Sequence, residues 1–259
     1  MIRHTGALLR RIVAFVVALL CLSSAVHADE HRPKIALIID DLGYERVAGE
    51  RAIALPGPVA FAVLPHTPRG AFLAEKAHAA GKDVLLHLPL QAERDHEAVP
   101  GSLLLDMTEH QFSQAFTKSI DAVPFVVGVN NHRGSLLTRH PGHMTWLMNE
   151  ILSREDLFFV DSYTTAESIA LNIALESGVP AVRRDVFLDP DQAPETLARE
   201  FSRLKKLARR KGFAVGIAHP YKTTLAFLES ALPTLEADGF ELITISELVL
   251  LRTDSVAGK

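Results

Sequence analysis

The chain has 259 residues, 48% hydrophobic and 22% charged, with 15 Gly and 14 Pro. That composition excludes a disordered, collagen-like or disulfide-stapled protein, and the length suits one (β/α) barrel or two smaller domains. The net charge of −4, from 27 Lys+Arg against 31 Asp+Glu, gives no footing for nucleic-acid binding.

The chain opens with Arg3, Arg10 and Arg11, an apolar run from Ile12 to Leu22, then Ser23-Ser24 and Val26-His27-Ala28. A basic start, a short apolar middle and a small-residue end predict a secretory signal peptide over residues 1–28, and with it export across the inner membrane to the periplasm. The run is short for a span of about 20 residues, so no stable membrane span is expected after cleavage; a retained N-terminal anchor is the alternative. Residues 29–259 then form a single, more acidic domain, because the segment removed carries three arginines and no acid. Cleavage also removes Cys21, the only cysteine, which leaves neither a disulfide nor a Cys nucleophile.

Apolar, β-branched runs follow in order: Lys34–Ile39, Val59–Leu64, Asp83–Leu88, Phe125–Val129, Leu157–Val160, Ala181–Leu188, Phe213–Ala218 and Glu241–Ile245. Each is nearly continuously apolar, as parallel strands covered on both faces are. Helical patterns lie between them. Thr108-x-x-Gln111 reads as a capping box ahead of Phe112, Phe116 and Ile120, and Thr164-x-x-Glu167 as another ahead of Ile169 and Ile173. Met144–Ile151 reads as a helix with Trp146 in its core. Pro194 opens a helix carrying Leu197, Phe201, Leu204 and Ala208 that Gly212 closes, with Lys205-Lys206 and Arg209-Arg210-Lys211 on its solvated face. The stretch Gln91–Asp106 has no pattern and is expected to form a loop over the barrel mouth. Alternation without a linker predicts one α/β domain, and the absence of nucleotide-binding glycine motifs favours a parallel (β/α) barrel of seven to eight strands.

In such a barrel the C-terminal ends of the strands hold the active site. Here they carry Asp40-Asp41, His66, His87, Asn130-Asn131-His132-Arg133, Asp161, then Arg183, Asp185 and Asp189, and finally His219. Two adjacent buried carboxylates repel unless a proton or cation lies between them. Histidines converging on the same mouth suggest a divalent metal, with zinc the best match to an imidazole and carboxylate set. The carboxylate left over can accept a proton from water, and a group opposite can protonate a leaving amine.

Ile38-Ile39-Asp40-Asp41-Leu42-Gly43, His87-Leu88-Pro89-Leu90, Gly128-Val129-Asn130-Asn131-His132-Arg133-Gly134-Ser135, Arg183 with Asp185-Val186-Phe187-Leu188-Asp189, and Gly216-Ile217-Ala218-His219-Pro220 resemble the divergent polysaccharide deacetylase family of the NodB-like superfamily. The resemblance runs in order from Pro33 to Leu250. It implies a distorted (β/α) barrel and metal-dependent removal of acetyl groups from N-acetylated sugars of a polysaccharide or oligosaccharide. It also implies that Asp40 is the general base, Asp41 and His87 are metal ligands, and His219 is the general acid. The sequence departs from the ordinary pattern where a second metal histidine would stand four residues after the first, a position held here by Gln91. His132 is the expected replacement, giving Asp41, His87 and His132 around one ion.

Asn131, Arg133, Asp161, Arg183, Asp189 and His66 are the residues expected to bind substrate or orient the others. Most of these positions also have a structural reading: Asp40-Asp41 as a helix cap, His87 as a core histidine, His132 as a loop-ordering residue, His219 as a turn residue, His66 as structural rather than a ligand, Asp189 at a helix entry, and Asp161 with Arg183 as a plain ion pair. Two further functions fit the residues. One is a non-catalytic envelope protein that binds glycan or a protein partner. The other is a glycoside hydrolase with paired carboxylates drawn from Asp40, Asp161, Asp185 and Asp189.

Overall fold

The computed structural model describes residues 32–94 and 99–257, so the predicted signal segment 1–28 lies outside the described residues. Strands β1 (Lys34–Leu42), β2 (Ala60–Val63), β3 (Val84–Leu90), β4 (Val126–Arg133), β5 (Phe158–Asp161), β6 (Ala181–Arg183), β7 (Val186–Phe187) and β8 (Phe213–Ala218) form one parallel sheet. Their order is β6-β5-β4-β3-β2-β1-β8-β7, and β9 (Glu241–Leu242) pairs with the start of β1. Helices α1 (Arg46–Ile53), α2 (Gly70–Ala79), α3 (Glu109–Asp121), α4 (Pro141–Leu152), α5 (Ala170–Glu176), α6 (Pro194–Lys211) and α7 (Lys222–Ala231) follow the strands, and α8 (Ile245–Ala257) ends the described chain.

Alternation along the strands divides the core into two layers. Ile35, Leu37, Ile39, Phe61, Leu86 and Phe159 pack outward with Leu73, Phe112 and Met148 of the helices. Ala36, Ile38, Ala60, Ala62, Leu85, Val160, Val215 and Ile217 fill the interior, and Ile245, Leu248 and Val249 of α8 join that inner cluster. Burial of both faces explains why these strands read as continuous apolar runs. The small residues Ala36, Ala60 and Ala62 suit the narrow interior.

The run Ala181–Leu188 is not the single strand expected of it. It breaks at Arg184-Asp185, and its halves occupy opposite ends of the strand order. Arg184 N–H donates to the carbonyl of Asp161 at 3.0 Å on the β5 side, and Asp185 N–H donates to that of Val215 at 2.9 Å on the β8 side. The curled sheet therefore returns to its own starting segment, and two residues of covalent chain cross the seam. This is the distortion of the barrel.

Three local expectations also change. Only Glu241–Leu242 of the last apolar run pairs with β1, because Ile245 begins α8. The Thr164 motif caps nothing: α5 starts at Ala170, while Thr164 Oγ1 donates to the carbonyl of Arg133 at 2.8 Å. The described part of the Gln91–Asp106 stretch returns to the end of β3 as a strap, Leu103 bridging Leu90 in parallel, with Leu103 N–H donating to Pro89 O at 2.9 Å and Gln91 N–H to Leu103 O at 3.0 Å. The Thr108–Gln111 capping box forms as expected, and Trp146 packs partly buried with its ring 5.8 Å from that of Phe112.

Leu248 is 1% exposed. Leu248→Ala leaves a hole in the inner cluster, and urea unfolding is expected to show a loss of about 3 kcal/mol.

Candidate metal centre

In a regular strand, consecutive side chains point to opposite faces, so Asp40 and Asp41 could not share one site. The register of β1 against β2 is irregular between Ile39 and Leu42, and Asp41 takes a left-handed backbone with φ 60°. Ile39 and Leu42, three positions apart, both return to the outer core, which marks the extra residue of a bulge. Both carboxylates consequently face the mouth. The left-handed conformation costs about 1–2 kcal/mol for a residue with a Cβ. His66, Arg133 and Tyr163 near the ends of β2, β4 and β5 are left-handed too, with φ 57°, 55° and 51°.

His87 in β3 faces inward with Leu85, and His132 in β4 shares that face with Asn130 two residues earlier. Asp41 Oδ1 lies 3.2 Å from His87 Nε2 and 3.0 Å from His132 Nδ1, and these two nitrogens are 3.2 Å apart. Asp41 Oδ1 is buried and meets the hydrogen-bond geometry with no partner among the described residues. Ligand atoms around a tetrahedral ion with bonds of about 2.0–2.1 Å stand about 3.3 Å apart. The triangle therefore has the spacing of three ligands to one divalent cation, with the buried Asp41 oxygen at its corner. Among the described residues, this is the one group of three or more His, Cys, Asp or Glu side chains with such convergence.

A second layer of contacts aims these groups. Asn130 Oδ1 lies 2.8 Å from His87 Nδ1 and accepts its N–H, so Nε2 is the nitrogen that faces the triangle and would lose its proton to an ion. The amide of the same Asn130 donates to Asp40 Oδ1 at 2.8 Å. Asp40 Oδ2 is 3.7 Å from His87 Nε2. On the other flank, His219 Nε2 stands 3.6 Å from Asp41 Oδ2, while its Nδ1 lies 3.1 Å from Asp189 Oδ1. Asp189 is itself held, its Oδ2 accepting from His219 N–H at 2.8 Å and Thr224 Oγ1 at 2.9 Å.

The electrostatics follow from burial and these neighbours. Burial raises the Asp40 pKa, and His87, His219 and Asn130 only partly oppose it. For Asp41, burial is outweighed by His132 and His87, which hold the carboxyl well below the usual range. Burial disfavours charge on His87, but Asp40 and Asp41 push its pKa up to about 9. Burial lowers His132, which the raised charge on His87 reinforces and Asp41 only partly offsets. His219 is raised, because Asp189 and the mouth carboxylates overcome its burial.

The remaining predicted residues take other places. Asn131 staples β4 to β5, its Oδ1 accepting from Ser162 N–H at 2.8 Å and its amide donating to Arg133 O at 2.8 Å. Arg133 is exposed at the rim. Asp161 directs both oxygens to its own loop, accepting from Tyr163 N–H and Ser168 Oγ at 2.8 Å each, rather than to Asp40. Arg183 is exposed, its guanidinium 4.1 Å from the centre of the Tyr163 ring. His66 is exposed beside Gly101 of the strap. Gln91, at the position of the absent histidine, accepts Leu105 N–H at 2.7 Å and holds the strap.

Sequence reasoning did not single out Asn130, Arg184 or Thr224. Asn130 could have been found from the period-two spacing to His132. Arg184, whose Nε donates to Ser162 O at 2.6 Å, carries no signal that separates it from Arg183.

With fold and geometry in hand, the comparisons define the class. The model of the family "divergent polysaccharide deacetylase" matches residues 37–249, and the chain belongs to that family. It is 35% identical over 240 residues to the uncharacterized protein YibQ of Escherichia coli, covering 93% of this chain and 73% of that one. An uncharacterized protein of Agrobacterium tumefaciens has the same fold, with TM-score 0.80, 22% identity, and coverage of 84% and 89%. The catalytic domain of a peptidoglycan N-acetylglucosamine deacetylase from Eubacterium rectale shares it at TM-score 0.52 and 16% identity, covering 83% and 90%. A CE4 family pseudoenzyme from Bacillus anthracis does so at TM-score 0.52 and 12% identity, covering 84% and 66%. The fold is thus shared by a protein described as a deacetylase and by one described as a pseudoenzyme.

A metal ligand must be a neutral imidazole, so an ion entering this site displaces the proton that His87 otherwise holds up to about pH 9. Zinc titrations at pH 7 in buffers of different ionisation enthalpy are expected to show release of about one proton per ion. Affinity should rise with pH until His87 has titrated. A pH-independent affinity would exclude His87 as a ligand.

Proposed function

We propose that this protein is an exported, metal-dependent hydrolase that removes acetyl groups from N-acetylated sugars of an envelope or extracellular polysaccharide. The observation that carries this reading is the triangle of Asp41 Oδ1, His87 Nε2 and His132 Nδ1, with separations of 3.0–3.2 Å, flanked by Asp40 on one side and His219 on the other. Asp41, His87 and His132 would hold one divalent ion, with zinc the best match to two nitrogens and one oxygen. When bound, such an ion polarises a carbonyl and lowers the pKa of a coordinated water toward about 7.

The chain's own residues then supply the proton transfers. Asp40, fixed by Asn130 and made more basic by burial, accepts a proton from the attacking water. His219 is oriented by Asp189 and kept protonated by it, so its Nε2 can deliver a proton to the leaving amine. Asp189 is a positioning residue. The paired-carboxylate hydrolase is less well supported, because Asp161 is committed to its loop and Asp189 to His219. Replacement of the expected ligand by Gln91 favours a second reading, a glycan-binding protein that has kept the fold without the reaction.

Metal analysis and acetate release from N-acetylated oligosaccharides separate these readings. Wild-type protein is expected to hold about one divalent ion per chain, lost in His87→Ala and in His132→Ala. Asp40→Asn should keep the ion and lose about 10²–10⁴-fold in kcat. Metal retention in His132→Ala alongside loss in His87→Ala would remove His132 from the ligand set. Full binding of glycan by Asp40→Asn, with no acetate released by any form, would favour the binding protein.

Asp189→Asn tests the acid. A general acid works only while protonated, so activity falls as pH rises through its pKa. Removing the Asp189 charge lowers the His219 pKa and should move the alkaline limb of the pH–rate profile to lower pH, with metal content unchanged. For export, the N-terminus of protein recovered from periplasm should be Asp29.

A further inference from the structure

From β1 to β6 each strand is joined to the next through a helix, and α6 joins β7 to β8, but two residues alone connect β6 to β7. Among the described residues, the outer layer therefore has no helix between α5 and α6. A cavity of 530 Å³ occupies that place, lined by Arg183, Arg184, Arg203, Arg210 and Lys211 and by the rings of Tyr163 and Phe187. It extends from Tyr163, just past the end of β5, along the C-terminal part of α6 from Glu200 to Lys211.

These cations are more than a cover for the seam. Two of their guanidinium groups do lie over aromatic rings, Arg183 at 4.1 Å from the Tyr163 centroid and Arg184 at 5.2 Å from that of Phe187. Apolar side chains would cover those rings without crowding charge. Asp185 pairs with Lys211 and Glu200 with Arg203, which leaves an excess of three positive charges in the cavity of a chain whose net charge is −4. Arg183 and Arg210 have no ion pair among the described residues, and Arg184 donates to the carbonyls of Ser162 and Tyr163. Burial and the neighbouring Arg203 and Arg183 lower the Arg184 pKa, although Asp40 and Asp161 act against this. Ser162 in turn touches Asn130, 3.4 Å away, which holds Asp40. The cavity is thus connected to the mouth through two residues.

We infer that this cleft binds carboxylates of an acidic glycan, a polymer whose N-acetylated sugars alternate with carboxylate-bearing sugars. The inference rests on the glycan reading above and deepens it by naming the substrate class. Guanidinium groups match planar carboxylates in geometry as well as charge.

The test is binding, read by calorimetry on the purified protein, of hyaluronan oligosaccharides, chitin oligosaccharides of equal length and polyglutamate. Hyaluronan fragments are expected to bind at least about tenfold more tightly than either of the others. The double variant Arg203→Gln, Arg210→Gln changes two exposed residues of α6 that line the cleft. It should lose about tenfold in hyaluronan affinity while chitin affinity stays unchanged. Equal binding of hyaluronan and chitin, equal binding of polyglutamate, or an unaffected double variant would each overturn the inference. Acetate release plays no part in this readout. A chain without deacetylase activity that still prefers hyaluronan upholds the cleft and sinks only the catalytic reading, whereas an active deacetylase indifferent to carboxylate does the reverse.

Discussion

The site depends on one break in the pleat of β1. Asp40 and Asp41 are neighbours, and a continuous strand would bury one carboxylate in the barrel and the other among the helices. The inserted residue and the left-handed backbone of Asp41 turn both toward the mouth, and the rest of the site compensates for placing them there. Two imidazoles meet Asp41 Oδ1, Asn130 meets Asp40, and His219 faces the remaining oxygen of Asp41. Buried charge is tolerable only when matched in this way. The strain at Asp41 persists because strands on both sides hold β1 in register.

Positioning in this site is done by amides and carboxylates that bind no ion themselves. Asn130 bonds the imidazole of His87 with its oxygen and the carboxylate of Asp40 with its nitrogen, so one side chain sets the direction of a metal ligand and of a base. Asn131, facing the other way on the same strand, closes the turn that follows His132. Asp189 does for His219 what Asn130 does for His87, but with a charge, and that difference suits their tasks. A metal ligand must lose its proton, and a neutral amide acceptor permits that; a general acid must keep its proton, and a carboxylate favours it.

The seam has consequences for both ends of the barrel. Because the chain crosses between β6 and β7 in two residues, no helix of the described residues covers that sector, and α6 borders a charged cleft. At the other end, α8 contributes Ile245, Leu248 and Val249 to the interior cluster that the strands alone leave short of apolar volume. The rigid lower barrel fixes the strand ends, and these carry every group of the metal triangle and both flanking residues.

The sequence by itself determined the strand–helix alternation, the parallel α/β class and the concentration of Asp and His at strand ends, because double-sided burial demands apolar runs and polar groups then collect where the strands stop. Strand β1, the capped helix α3 and helix α6 with its terminal glycine were legible within a few residues, since their signals are local: hydrophobic period, capping box, Pro and Gly. The tertiary structure alone decided that Ala181–Leu188 is two strands at opposite sheet edges, that the strap is tied by Gln91, and that Asn130 rather than Asp161 steadies Asp40. It also decided that Arg184 turns toward the β5 carbonyls while Arg183 stays outside. Each of these rests on contact between segments 14 to 90 positions apart or on a backbone turn at a single residue. Local pattern carries no information about which distant segment will be the partner; the closing of the barrel supplies it.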